Sequence, residues 1–299
     1  MTETEKGVLA MIGVCTVWGL SPIFYGWLSH VPAGEVLAHR TLWSVALFAL
    51  YLGMRGRLGE LSAAVTGPQA GRLMLAALLI SMNWGVFIWS VQANRVVESS
   101  IGYYIFPLVS VALGIAVLGE RVSRAQGFAL MLAAAAVVVL TLGLGAAPWV
   151  SLALAFSFGF YGLVKKRLET GAVISVAAEV VLLAPFAALW LAFVHVSAAT
   201  GGFFGRDLGT SLLLIASGAI TAIPLILFAY GARRISMTSS GLLFYLNPTL
   251  QFLVAVMWFG QPVTRWHVIV YAMIWTALAI YTTTLWRARR ATSPDSERG

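Results

Sequence analysis

Apolar residues run along this chain in blocks close to the roughly 20 residues that a helix needs to cross a bilayer. Short polar or Gly/Pro-containing breaks separate them. Ten blocks can be drawn, at about 7–28, 34–54, 72–92, 99–118, 125–144, 148–164, 173–194, 211–231, 239–259 and 266–286. The pattern predicts an all-α integral membrane protein with ten transmembrane helices. The first block follows MTETEK, whose acids are unlike the basic start of a secretion signal, so it is expected to be retained as a helix.

Composition agrees with the pattern: 60% of the 299 residues are hydrophobic and 10% charged, and the mean hydropathy is +0.89, far from a soluble average. A net charge of +8 raises the question of nucleic acid, and the placement of the basic residues answers it. With the N-terminus inside, fifteen of the 19 Lys and Arg residues fall on the cytoplasmic side, three (Arg95, Arg206, Arg265) on the other, and Arg40 within a span. The basic charge is therefore a topology signal. It predicts both termini in the cytoplasm and no nucleic-acid partner. Cys15 is alone and no Cys/His cluster suits a metal, so neither a disulfide nor a cofactor is expected. The polar segment 287–299 is expected to be a disordered cytoplasmic tail.

An internal repeat organises the spans. YIFPLVSVALGIAVLGERVSR from Tyr104 aligns without gaps on YLNPTLQFLVAVMWFGQPVTR from Tyr245, at an offset of 141. Tyr104 falls on Tyr245, Pro107 on Pro248, Ser110 on Gln251 and Gly119 on Gly260. An offset of 140 sets VWGL (17–20) more weakly on SFGF (157–160). Five spans separate the halves, an odd number, so the two copies cross the membrane in opposite directions. The expected organisation is a first repeat at 7–144 and an inverted second repeat at 148–286.

Polar residues inside spans mark interior faces. The fourth span carries Ser100, Tyr103, Pro107, Ser110 and Gly114 at helical 3/4 spacing; the ninth carries Ser240, Phe244, Asn247 and Gln251; the third carries Asn83, Phe87, Ser90 and Asn94. Each face suits a cavity, and each equally suits helix–helix hydrogen bonding. Pro107 and Pro248 each remove a backbone donor and are expected to kink their helices. Trp18, Trp84, Tyr104, Tyr161 and Tyr245 lie near span centres or beside these faces, where cavity lining competes with interface anchoring.

The stretch EVLAHRTLWS (35–44) places His39 and Arg40 about 6 and 7.5 Å deeper than Glu35. Arg40 either snorkels outward or meets a partner inside. The acid well inside a later apolar run is Glu179, which falls on His39 at the 140 offset. A Glu179–Arg40 pair is one arrangement, and Glu179 and His39 are the candidates for carrying a coupling proton. Lys165 and Lys166 read as cytoplasmic anchors, although Lys165 shares a face with Phe158 and Tyr161 and is also placed to guide an anion.

Taken together, WGLSPIF near the start, VPAGEVLAHRTLWS, the long block from NWGVFIW to GERVSRAQ, LAFSFGFYGLVKK and FYLNPTLQFLVAV resemble the drug/metabolite transporter superfamily, in particular EamA-domain permeases of the RarD type. The resemblance covers about residues 7–285. It implies two inverted five-helix repeats, both termini inside, and a central cavity in a bacterial cytoplasmic membrane. RarD-like proteins are commonly labelled as related to chloramphenicol sensitivity, which does not identify a solute. Gln261 stands where Glu120 closes the first repeat, so that glutamate is not needed twice.

The leading reading is a secondary carrier, not an enzyme, that exports a small metabolite by alternating access. Trp18, His39, Arg40, Asn83, Trp84, Ser100, Tyr103, Tyr104, Pro107, Tyr161, Phe244, Tyr245, Asn247 and Gln251 are the expected cavity residues. Cations among aromatic and amide groups suit an amphipathic carboxylate such as an amino acid. Two readings compete. An intramembrane lipid-modifying enzyme wants H-E-x-x-H, G-x-S-x-G or paired acids, and none occurs. A membrane ligand sensor wants a soluble signalling domain, and the loops are short. No G-x-x-x-x-G-K-[ST] loop provides a nucleotide site.

Overall fold

The computed structural model describes residues 1–119, 123–144, 148–197, 201–232, 234–235 and 243–291. Within them the backbone forms eleven helices: α1 (Glu3–Trp27), α2 (Ala33–Met54), α3 (Leu58–Thr66), α4 (Ala70–Gln92), α5 (Val96–Leu118), α6 (Arg124–Leu144), α7 (Trp149–Lys165), α8 (Ala172–Ser197), α9 (Leu208–Ala232), α10 (Leu246–Met257) and α11 (Arg265–Ala291). Six of them, α1, α2, α4, α5, α8 and α9, are long and apolar enough to cross a membrane. The other four apolar helices, α6, α7, α10 and α11, hold apolar stretches of 10–17 residues at the fifth, sixth, ninth and tenth expected spans.

Helix α3 is an addition to the expected pattern. RGRLGELSAAVTG reads as a Gly-containing connection, yet nine helical residues suffice to bury Leu61 against α8 while Arg57 and Glu60 pair on the wet side at 2.6 Å. The expected tail also begins later: residues 287–291 continue α11, and 292–299 lie outside the described residues, as do Glu120 and Ser240.

Local chemistry explains the helix ends. Thr2 and Glu5 form a capping box at the start of α1, with the Glu5 N–H donating to Thr2 Oγ1 at 3.2 Å and the Thr2 N–H to Glu5 Oε2 at 2.9 Å. Gly119 ends α5 in the left-handed region at φ 67°, and Gly260, its partner at the 141 offset, takes φ 59° after α10. The two prolines differ. Pro107 lies inside a continuous α5, whereas Pro248 sits in the first turn of α10, where a missing N–H costs little. The described α10 therefore begins at Leu246, two residues before Pro248.

Helix packing comes in exchangeable pairs. α5 packs on α7 as α1 packs on α10; α4 packs on α7 as α1 packs on α9; α2 meets α8 and α6 meets α11. Two close glycine approaches exchange as well. Gly19 lies under Leu250 of α10, where an added Cβ would come within 2.6 Å, and Gly159 lies under Val109 of α5, where it would come within 2.9 Å. Large apolar side chains such as Met131, Leu142, Leu189 and Met257 remain exposed on the outside of the bundle, as a lipid-facing surface requires.

Candidate functional site

A cavity of about 490 Å³ lies between the helices, within the range of small-molecule sites. Side chains of α1, α2, α4, α5, α7, α8, α9 and α10 line it. One end is blind, closed by Tyr25 and Arg40 at 1% and 5% exposure. The other reaches Lys165, the last residue of α7, and Ala172, the exposed first residue of α8, and forms the mouth.

Arg40 is the charged group of the blind end. Its Nε donates to Thr221 Oγ1 at 2.5 Å, and its guanidinium carbon stands 4.1 Å from the Trp84 ring centroid and 5.7 Å from that of Tyr25. Among the described residues no carboxylate pairs with it. A buried guanidinium held by one hydroxyl and two aromatic faces keeps donors for an anion that enters the cavity.

Aromatic rings lead from that end to the mouth. Tyr25 contacts Phe87 edge-on at 5.9 Å, Phe87 contacts Tyr103 at 5.9 Å, Tyr103 contacts Phe158 at 6.3 Å, and Phe158 stacks on Tyr161 at 5.7 Å. Lys165 Nζ then lies 5.4 Å from the Tyr161 centroid. Trp18, Phe228 and Phe244 form a second aromatic group on the facing wall. Asn83 fixes the path: its Nδ2 donates to Leu154 O at 3.0 Å and Ser157 Oγ at 2.9 Å, and its Oδ1 accepts from Tyr103 at 3.0 Å. Gln251 Nε2 donates to Asn247 Oδ1 at 3.0 Å, which leaves Gln251 Oε1 buried without a donor.

Glu179 stands behind the mouth at 1% exposure. Its Oε1 accepts from Lys165 Nζ at 2.6 Å and from Ser175 Oγ at 3.1 Å, and its Oε2 accepts from Tyr161 at 3.1 Å. Lys165 also donates to Ser175.

Related sequences place this arrangement. The EamA-like transporter family matches residues 5–142. Protein RarD of Streptomyces exfoliatus is 42% identical over 294 residues, covering 96% of this chain and 90% of that protein. Protein RarD of Escherichia coli K12 is 36% identical over 97% of this chain and 98% of its own. The chain is a RarD-like permease of the drug/metabolite transporter superfamily. A Bacillus subtilis relative, Uncharacterized transporter YojE, is 39% identical over 97% of both chains. One crystal structure shares the fold, with a TM-score of 0.62 at 18% identity over 94% of this chain and 98% of the other. The protein is accordingly a multi-pass membrane transporter.

In this permease the end opposite the mouth is stitched shut by loop contacts. Gln261 accepts from the Val97 N–H at 2.9 Å and donates to Asn94 Oδ1 at 2.9 Å. Gln92 donates to the Val31 carbonyl at 2.8 Å, and His30 and Thr210 meet at 3.0 Å. Glu35 Oε1 accepts from the Phe203 N–H at 2.6 Å.

Of the residues expected at the site, Trp18, Arg40, Asn83, Trp84, Tyr103, Pro107, Tyr161, Phe244, Tyr245, Asn247 and Gln251 line the cavity of the permease. Four lie elsewhere. His39 is a quarter-turn from Arg40 and faces the loop before α9, stacked on Phe204 at 4.9 Å with Nε2 4.0 Å from Glu35 Oε1. Ser100 meets Tyr271 of α11 at 2.5 Å, and Tyr104 meets Thr249 of α10 at 2.6 Å, so both join helices. Glu179 is bound by Lys165 and not by Arg40, whose Nε is held by Thr221. Tyr25, Phe106, Phe158 and Thr221 were not singled out as lining residues; only the Phe158–Tyr161–Lys165 spacing carries a signal for any of them.

Proposed function

We propose that this permease is a secondary carrier that exports a small amphipathic carboxylate, an amino acid or a related metabolite, across a bacterial cytoplasmic membrane. The observation that carries this reading is the Arg40 guanidinium at the blind end of an aromatic cavity, with no carboxylate partner among the described residues. A fixed cation of this kind supplies a carboxylate with charge-assisted hydrogen bonds in a place where water does not compete.

Alternating access of two inverted repeats is the proposed mechanism. It draws on the 141-residue offset, the left-handed glycines at both copies and the paired approaches of Gly19 to Leu250 and Gly159 to Val109. With the basic residues inside, the mouth at Lys165 faces the cytoplasm and the loop contacts of Gln261 close the outer side. A proton at Glu179 or His39 is the proposed coupling element.

The test is flux of a mixed metabolite pool, including amino acids and chloramphenicol, in proteoliposomes with wild type and Arg40→Gln. Carboxylates moving in wild type and stalling in the variant is the expected result. Movement of permanent cations alone overturns the substrate class, and chemical conversion of pool members overturns the carrier.

A further inference from the structure

Resting on that reading, the geometry points to a cargo with two anionic groups, one held by Arg40 and the other by Lys165 after Glu179 has taken a proton. The cavity has a cation at each end. Arg40 is open to a ligand at the blind end, while Lys165 at the mouth is occupied by Glu179 at 2.6 Å. Among the described residues no carboxylate lines the space between them: apart from the two cations the lining is aromatic, aliphatic or amide-bearing, with the hydroxyls of Ser21 and Thr221.

The levels of the two cations set the length of the cargo. Arg40 lies seven residues inside α2 and Glu179 seven residues inside α8, from opposite membrane faces, so each is about 10 Å deep at a rise of 1.5 Å per residue. A hydrocarbon core of roughly 30 Å leaves about 10 Å between them. An apolar or aromatic body with an anionic group at each end fills that interval, along the rings from Tyr25 to Tyr161.

The exchange of partners at Lys165 is balanced in charge. The incoming anionic group replaces the Glu179 carboxylate on the Lys165 ammonium, which keeps its three protons. Glu179, at 1% exposure, would then be a bare charge in a low dielectric. A proton from water passes to its Oε1 and removes that charge, with Tyr161 and Ser175 still bonded to the carboxyl group. Each dianion thus brings one proton with it, and export runs on the outward gradient of the solute. On the other helices packed against α8, Glu60 of α3 is paired with Arg57 and Arg72 of α4 donates to the Arg167 carbonyl, while Arg40 of α2 uses only its Nε on Thr221.

The experiment uses the purified full-length permease and two readouts: tryptophan fluorescence for binding, and a pH indicator in weak buffer for protons. The probes are terephthalate, 1,4-phenylenediacetate and 1,4-phenylenedipropionate, with 4-methylphenylacetate as the monocarboxylate control. The expected result is that a dicarboxylate binds with uptake of one proton and that its affinity rises about tenfold per unit fall in pH, whereas the monocarboxylate binds without a proton. Lys165→Gln is expected to lower dicarboxylate affinity about tenfold, to the level of the monocarboxylate, and Glu179→Gln to abolish proton uptake while tightening binding by a similar factor. Equal binding of both classes without protons in wild type overturns the two-anion cargo and leaves the carboxylate reading intact. Binding by none of the four overturns the carboxylate reading itself.

Discussion

Arg40 stands with its guanidinium 4.1 Å from the centre of the Trp84 ring and no acid to neutralise it among the described residues. A charge buried in this way is costly to the folded protein. Arg40→Gln is therefore expected to leave the melting temperature in detergent unchanged or raised, while affinity for 4-methylphenylacetate falls by roughly 30-fold or more. Arg40→Lys should fall nearly as far, because an ammonium cannot reproduce the planar fork. A variant that melts early and still binds would make Arg40 a structural residue.

The crossing of α2 and α9 depends on Gly218. A Cβ there would come within 2.5 Å of Trp43 Cβ and 2.6 Å of the Trp43 carbonyl carbon, and backbone cannot move aside. Gly218→Ala is expected to cost about 1–3 kcal/mol, visible as an earlier thermal transition. Gly13→Ala, with nothing within 4 Å of the new methyl group, should melt like wild type.

Gln261 joins the start of α5 to the end of α10 through two 2.9 Å hydrogen bonds on the closed side. Gln261→Ala removes both and should shift the population toward an outward-open form by about 5- to 10-fold. Ser21→Cys in a Cys15→Ala background reports this, since Ser21 lines the cavity. An impermeant maleimide added outside should label it several-fold faster in the Gln261 variant. Equal rates would mean that other contacts carry the closure.

Asp207 precedes α9, and the Thr210 N–H donating to its Oδ1 at 2.7 Å holds its carboxyl below the ordinary aspartate range. A lowered folded-state value means that the contribution is present above the unfolded value and lost as pH falls through the folded one. Asp207→Ala should thus melt earlier than wild type at pH 7, and the gap should close below about pH 4. A gap that persists in acid would assign the effect to something other than the ionised cap.

Much of the fold is legible because the bilayer enforces it. Spans must be apolar and long, so the long helices fall within a few residues of the hydrophobic blocks. Helix α3 was hidden because nine residues that bury one leucine leave no periodic trace. Within the spans, spacing marks a polar face but not its neighbour. Tyr103 and Tyr104 differ by one residue, yet one lines the cavity and the other bonds Thr249. The same limit separates Arg40 from His39. Glu179 and Lys165 lie fourteen residues apart in sequence, and their pairing depends on how the connection after α7, which packs on α4 and α5, brings the end of that helix to the first turns of α8.

Arg40 belongs to α2 in the first half of the chain and Lys165 to α7 in the second. A solute that touches both would become a strut across the seam between α2, packed on α8 and α9, and α7, packed on α4 and α5. Its length then matters as much as its charge. One too short engages a single side and leaves the seam unloaded, and one too long props it open. In the proposed two-anion mode such a carrier would be a ruler for its cargo, and a shorter cationic side chain at Lys165 would reset the scale.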